Sequence, residues 1–309
     1  MRKMVLDMVY ELAKQDKRVY FIGSDLGHGT LEKFKQEMPG RFLMEGINEQ
    51  HMIGMAAGLA SEGKVVYLNT IATFLTRRCF EQIVLDLCLH NMKVRLIASG
   101  GGYVYAPLGP THQATDDLGI LRPIPNMVIV APADAEEMKR LMLQSLEWPG
   151  PIYIRLAKGG DPIVTTDSFQ IGKAVKYREG KDALIVTTGI TLKMALDAAE
   201  QLALEGLSAS VLHCHTLKPW DAEAVRFWAE KVPVIIAIEE HNIIGGLGSA
   251  VAETLAEANF AQAKKFRRIG VPDCFAVGYG SQAALMEKYG VSAGRIVQAV
   301  KELYTIEHK

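Results

Sequence analysis

Short runs of consecutive apolar residues alternate along this chain with longer stretches in which apolar positions recur every three or four residues. Residues 2–15 carry Met4, Val5, Met8, Val9 and Leu12 at helical spacing, and VYFIGSDL (19–26) then reads as a buried strand running into a turn. Residues 49–62 predict a helix rich in small residues (GMAAGLA), KVVYLNT (64–70) a strand, and residues 74–90 a helix with Phe80, Ile83, Val84 and Leu87 on one face. A strand at KVRLIAS (93–99) leads into a glycine-rich loop (100–110); a strand at 127–134, a helix at 135–146 and a strand at 151–157 complete this half. Residues 158–173 carry Gly, Pro, Thr and Asp without periodicity. The alternation restarts with DALIVTTG (182–189), helix 191–205, SASVLHCHT (208–216), helix 221–230, VPVIIAIEE (232–240) and a helix from Gly248. This pattern predicts an α/β fold of two domains, each a mostly parallel sheet with flanking helices. The expected domains are 1–160 and 175–309, with 161–174 as the linker.

Composition narrows the class. At 309 residues the chain can bury two cores, and 49% hydrophobic with 22% charged residues is the balance of a globular protein. The net charge of −1 and pI of about 6.7 give no electrostatic case for nucleic acid or an anionic membrane surface. No apolar run reaches the length of a membrane span, and the charged N-terminal segment lacks the core of a signal peptide, so a cytoplasmic location is expected. Cys79, Cys88, Cys214 and Cys274 are far apart, without metal-ligand spacing, and read as reduced thiols. Phosphate-loop, dinucleotide-binding, HExxH and GxSxG motifs are absent; Gly100-Gly101-Gly102 leads into a loop rather than a helix.

Three segments carry candidate chemistry. In EGINEQHMIGMAAGLA (45–60), Glu49 opens a helix among small and apolar neighbours. Such surroundings favour a carboxyl that shares a proton, although the same position also suits one that complements the helix dipole. In TIATFLTRRCFEQI (70–83), Phe74 lies just beyond the C-terminal end of a strand, the usual ligand edge of an open α/β sheet. Its ring is placed either to stack on a flat heterocycle or to fill core. Arg77 and Arg78 are suited to a phosphate or carboxylate, or to solvent. In LGPTHQATDDLGILRPIPNM (108–127), His112 sits in a loop after a strand, and Asp116 and Asp117 are placed to cap the following helix.

Together, in this order and at these separations, the three segments resemble the pyrimidine-binding domain of the transketolase family. EEHNIIGGLGSAVAETL (239–255) and TLKPWD (216–221) resemble that family's third domain, so the similarity covers essentially the whole chain. The resemblance implies thiamine diphosphate as cofactor. Glu49 matches the glutamate that hydrogen-bonds the aminopyrimidine and drives proton transfer, Phe74 the ring that stacks on it. Asp25 and Leu26, in the Ser24-Asp25-Leu26 turn, match positions that approach the cofactor's middle. His112 matches a catalytic histidine near the substrate carbonyl. Arg2, Arg77 and Arg155 fit a substrate phosphate: Arg2 in the RK start of the first helix, Arg155 in YIRLA, and Arg77 in a TFLTR run close to the TFLQR of deoxyxylulose-phosphate synthases.

Departures leave the sugar open. Leu108 stands where ordinary transketolases have an aspartate four residues before the loop histidine, and Gly29 where a phosphate-contacting serine is expected. No histidine opens the glycine-rich loop, where Tyr103 or Tyr105 fills the space. The family holds the cofactor's diphosphate through Mg²⁺ on a GDG motif, and this chain has no GDG. The resemblance therefore implies that the Mg²⁺ ligands lie on a separate N-terminal-half subunit, with none here, in an α2β2-type assembly. The implied activity is transfer of a two-carbon ketol unit between sugar phosphates, dependent on that partner. The alternatives are the β subunit of a 2-oxo acid dehydrogenase, a deoxyxylulose-phosphate-synthase-like condensing enzyme, and a non-catalytic binding or regulatory module.

Overall fold

A computed structural model of the chain describes residues 1–24, 31–166 and 168–305. Its strands are β1 (Val19–Gly23), β2 (Phe42–Met44), β3 (Val65–Ile71), β4 (Val94–Ser99), β5 (Val128–Val130) and β6 (Ile152–Leu156), then β7 (Val175–Arg178), β8 (Ala183–Thr187), β9 (Ala209–His213), β10 (Thr216–Lys218), β11 (Val234–Asn242) and β12 (Lys265–Val271). They form a seven-stranded sheet in the order β10-β5-β6-β4-β3-β1-β2 and a five-stranded sheet in the order β12-β11-β8-β9-β7. Among the described strands only the β10–β5 and β7–β9 pairs are antiparallel. The expected fold, two mostly parallel sheets with flanking helices, is the one observed.

The central strands explain the layering. All six residues of β4 and all five of β6 are buried, which requires a helix layer on each face of the sheet. On one face, Val5, Leu6 and Val9 of helix Arg2–Gln15 join Met138 and Leu141 of helix Ala135–Ser145 against Phe21, Tyr67 and Ile97. On the other, Met52, Ile53 and Ala56 of helix Glu49–Ser61 pack on Ile22, Leu68 and Leu96. Alternate residues of β1 thus serve opposite layers. Helix Ala135–Ser145 begins where the sequence places it because Asp134 accepts hydrogen bonds from the Glu136 and Glu137 backbone N–H groups.

Two features depart from the expected pattern. The helix expected over 74–90 is built instead from wide π turns, Phe74–Arg78 and Ile83–Leu89, on either side of a short α-helical piece, Phe80–Gln82. Each π turn carries an extra residue, which rotates the side chains that follow it. Residues 208–216, expected as one strand, divide. β9 stays in the second sheet, and the chain then crosses to the first, where Thr216 pairs with Val130 and Lys218 with Ile129. The Ala131 N–H donates to the His215 carbonyl at 2.7 Å beside this crossing.

The crossing joins the two halves. A single apolar cluster contains Leu96 and Tyr153 from the first sheet and Leu184, Val186, Leu217 and Val251 from the second half. The short helix Asp117–Leu121 is held from the other side: the Gly119 N–H donates to His241 Nε2 at 3.1 Å, and Arg122 donates to the Gly245 carbonyl at 3.0 Å. Helices Thr191–Leu204 and Ala293–Thr305 cover the second sheet. Among the described residues no helix is long and apolar enough to cross a membrane.

Candidate functional site

The C-terminal end of β3 delivers Phe74, and the N-terminus of helix Glu49–Ser61 delivers Glu49 beside it. Glu49 is only 2% exposed although it opens its helix. Arg78 lies on it: Nη1 donates to Glu49 Oε2 at 2.6 Å, and the guanidinium carbon stands 4.2 Å from the centroid of the Phe74 ring. His112 approaches Phe74 edge-on, with ring centroids 5.2 Å apart and planes at 65°. Its Nδ1 lies 2.9 Å from the Thr111 hydroxyl. Glu49, Phe74 and His112, separated widely in sequence, therefore share one surface. Sequence reasoning foresaw apolar surroundings for Glu49; the structure adds a guanidinium within hydrogen-bond distance.

Arg77, one residue earlier, points elsewhere. Its Nε and Nη2 form a fork on Asp116 at 2.9 and 2.8 Å, and Nη2 also donates to the Gln113 carbonyl at 3.1 Å. Both acceptors belong to the segment that follows His112, so Arg77 ties that loop to the π turn. In this structure Arg77, expected to meet a substrate phosphate, places its Nε and Nη2 donors in this anchoring contact.

Arg155, also expected to meet a substrate phosphate, is held within the chain as well. It is 7% exposed in β6, and its guanidinium bonds both oxygens of Asp117 (2.8 and 3.0 Å) and the carbonyls of Ala114 and Glu240, each at 2.9 Å. Tyr153 donates its hydroxyl to the same Asp117 carboxylate at 2.7 Å. Burial works to raise the pKa of Asp117, but the Arg155 charge and hydrogen bonds outweigh it and hold the carboxyl below the ordinary range. Asp117 is thus the buried counter-ion of Arg155 as well as a member of a helix's first turn. The glycine run follows from this packing. At Gly101 a Cβ would come within 2.7 Å of the Arg155 side chain, and at Gly102, with φ of +59°, within 2.3 Å of the Glu240 carboxyl. Glu240 accepts from the Tyr103 N–H at 2.8 Å and from Gln282 at 2.9 Å. Burial pushes its pKa up to about 7 against the Arg155 charge.

A cleft of about 290 Å³ opens at the C-terminal ends of β4 and β6, lined by Arg2, Gly100, Tyr105, Leu156 and Lys158 among others. Arg2 Nε is buried in the structure without a hydrogen-bond partner. Lys158, exposed just past the end of β6, was missed by sequence reasoning. Its signal was available: a basic residue immediately beyond a strand's C-terminal end, three positions after Arg155. Tyr105 lines the cleft, whereas Tyr103 is fully buried against Tyr289. Asp25 and Leu26, together with Gly29, lie outside the described residues. Among the described residues no group of three or more His, Cys, Asp or Glu side chains is arranged to hold a metal ion.

Comparison with known proteins places this geometry. The family described as transketolase, pyrimidine binding domain, matches residues 1–160, and that described as transketolase, C-terminal domain, matches residues 172–296. The chain belongs to the transketolase family. It is 39% identical over 308 residues to the 6-deoxy-6-sulfo-D-fructose transketolase subunit of Clostridium sp. (strain MSTE9), covering 98% of this chain and 94% of that one. It is 36% identical to an apulose-4-phosphate transketolase subunit of Phocaeicola vulgatus, covering 97% and 96%. A solved structure described as a split gene transketolase, inactive β4 tetramer, superposes with a TM-score of 0.90 at 36% identity, covering 98% of each chain. The 1-deoxy-D-xylulose-5-phosphate synthase of Syntrophotalea carbinolica is 38% identical, but this chain spans only 46% of it. These two transketolase relatives, which match end to end, are thus subunits.

The residues present in this transketolase-family chain fit an aminopyrimidine. A guanidinium is a planar nitrogen-rich group, and Arg78 shows that the pair Glu49 and Phe74 accepts one: the carboxylate takes an N–H, and the guanidinium carbon lies over the benzene ring. A pyrimidine with a ring nitrogen and an exocyclic amine presents the same two features.

Proposed function

We propose that this chain is the pyrimidine-gripping subunit of a thiamine diphosphate-dependent transketolase that transfers a two-carbon ketol unit between sugars, and that it works only with a separate diphosphate-binding subunit. The observation that carries this reading is the Glu49–Phe74 pair, a buried carboxylate and an aromatic face within reach of one flat ligand. When bound, the cofactor supplies an electron sink for cleaving and remaking the carbon–carbon bond beside a ketose carbonyl. Glu49 holds a proton at the pyrimidine ring nitrogen and so sets the protonation of the ring. Phe74 fixes the plane of the ring. His112, at the edge of Phe74, is positioned to exchange a proton with a substrate oxygen. Arg2 and Lys158 give the cleft at the end of β6 a positive wall suited to a sugar's anionic end. The two subunit relatives are named for a sulfo-deoxy sugar and a sugar phosphate, both anionic at one end.

Three further observations support a partner. The relatives are subunits, and the similar solved structure is an oligomer described as inactive. Ile47, Phe80, Leu85 and Leu89 are exposed on or beside the helical segments that carry Glu49 and Phe74. The GDG motif through which the family binds Mg²⁺ is absent from this sequence. We place those ligands on the partner, in an assembly of two copies of each chain.

The test is Glu49→Ala in the two-chain complex, with a ketose-phosphate or ketose-sulfonate donor. Loss of a general acid–base group costs on the order of 10²–10⁴-fold in turnover, with the thermal transition of the chain retained. Unchanged turnover would overturn the catalytic reading and favour a non-catalytic module. The partial match to deoxyxylulose-phosphate synthases sustains a second reading, a condensing enzyme; a 2-oxo acid donor in the same assay separates the two and also tests the dehydrogenase alternative.

A further inference from the structure

We propose that Arg78 closes the aminopyrimidine seat of the free chain, making to Glu49 and Phe74 the two contacts the heterocycle would make, and that it must swing away before a cofactor can enter. The inference rests on the reading of Glu49 and Phe74 given above.

The geometry is specific. Arg78 Nη1 is 2.6 Å from Glu49 Oε2, a charge-assisted hydrogen bond, while the guanidinium carbon lies over Phe74 at 4.2 Å. Glu49 is 2% exposed, whereas the Arg78 side chain is 43% exposed. The guanidinium therefore lies as a cover over the carboxylate, with its outer side toward solvent. The backbone beneath it is fixed, because the Arg78 carbonyl accepts from Gln50 at 3.0 Å and the π turn Phe74–Arg78 holds the segment. Only the side chain has to move. Arg77 cannot take its place, being forked on Asp116. Consecutive helical positions point in different directions, which gives the two arginines these separate roles. Removing the cover leaves a buried carboxylate without its cation, which an entering aminopyrimidine relieves when its ring nitrogen takes a proton from solvent and donates that N–H to Glu49. A chain whose seat is closed in this way discriminates against cofactor until something makes the open form favourable, and an incoming partner chain is suited to that task.

The test uses carbodiimide–amine labelling of Glu49 in the full chain, read by peptide mass spectrometry, with and without the hydroxymethyl-aminopyrimidine fragment of thiamine as probe. Arg78→Ala and Arg78→Met, the latter keeping an apolar stem over Phe74, are compared with wild type after thermal melts establish that they are folded. A seat closed ~90% of the time predicts about a tenfold rise in Glu49 labelling on removing the cover, and a similar gain in apparent affinity for the probe. Expected: slow labelling of wild type that the probe hardly alters, and fast labelling of both variants that the probe suppresses. Equal labelling of wild type and variants would overturn the proposal. Equal suppression by the probe in wild type would also overturn it, showing the seat already open, while leaving the reading of Glu49 and Phe74 intact. Fast labelling of the variants that the probe never suppresses would overturn both.

Discussion

Two buried carboxylates, Glu49 and Glu240, show how neighbours assign tasks to one residue type. Glu49 faces a cation and an aromatic ring at the sheet's ligand edge; Glu240 accepts N–H groups from Tyr103 and Gln282 between the two sheets. Burial raises the pKa of Glu240 from an ordinary 4.5 to about 7. A carboxyl raised in this way leaves stability intact below about pH 4.5 and subtracts from it as pH climbs through 7, because the unfolded chain loses that proton first. Once fully ionised the cost is about 3 kcal/mol. Glu240→Gln keeps an oxygen acceptor for Tyr103 and removes the titration. Urea midpoints measured from pH 5 to 8 should therefore show the variant gaining on wild type as pH rises. A constant difference across that range would contradict the assignment.

At the scale of elements, the strands and most helices could be read from periodicity, and the exceptions have physical reasons. Hydrophobic spacing registers a helix over 74–90 but not the extra residue of a π turn. Arg77 and Arg78 look alike in sequence, and only the fold shows which partner each meets. The counter-ion of Arg155 could not be read from the sequence, because Asp117 lies 38 positions away. Phe74 and His112 are easier to place, since each lies in a loop or turn beyond a strand end, where fold geometry concentrates ligands. The crossing of β10 gives no local signal: Thr216 ends the stretch read as a single strand, and Leu217 and Lys218 are too few to show a period of their own. That short strand has consequences for stability. Leu217 is 1% exposed and sits in the cluster shared by both sheets. Leu217→Ala should cost about 2–5 kcal/mol, lowering a single thermal transition; two resolved transitions would show that the halves are less coupled than their common core implies.

Apolar side chains stand exposed along the helical segments that carry the candidate site, as a surface that meets another chain would require. Ile47, two residues before Glu49, is 72% exposed, and Leu89, at the far end of the helical segment that Phe74 opens, is 68% exposed. Leu89→Asp should leave the melting temperature of the isolated chain within about a degree or two, as exposed substitutions usually do, yet weaken association in sedimentation experiments with copies or partner. Unchanged association would place the interface elsewhere. The strand that crosses from the second half into the first bears on how such a chain can be divided by evolution or by design. Because β10 supplies the outermost rung beside β5, a cut placed between the two family regions would strip the first sheet of its border and bare a row of unpaired peptide groups, an invitation to aggregation. Gene fission in this fold is accordingly disfavoured between the two regions.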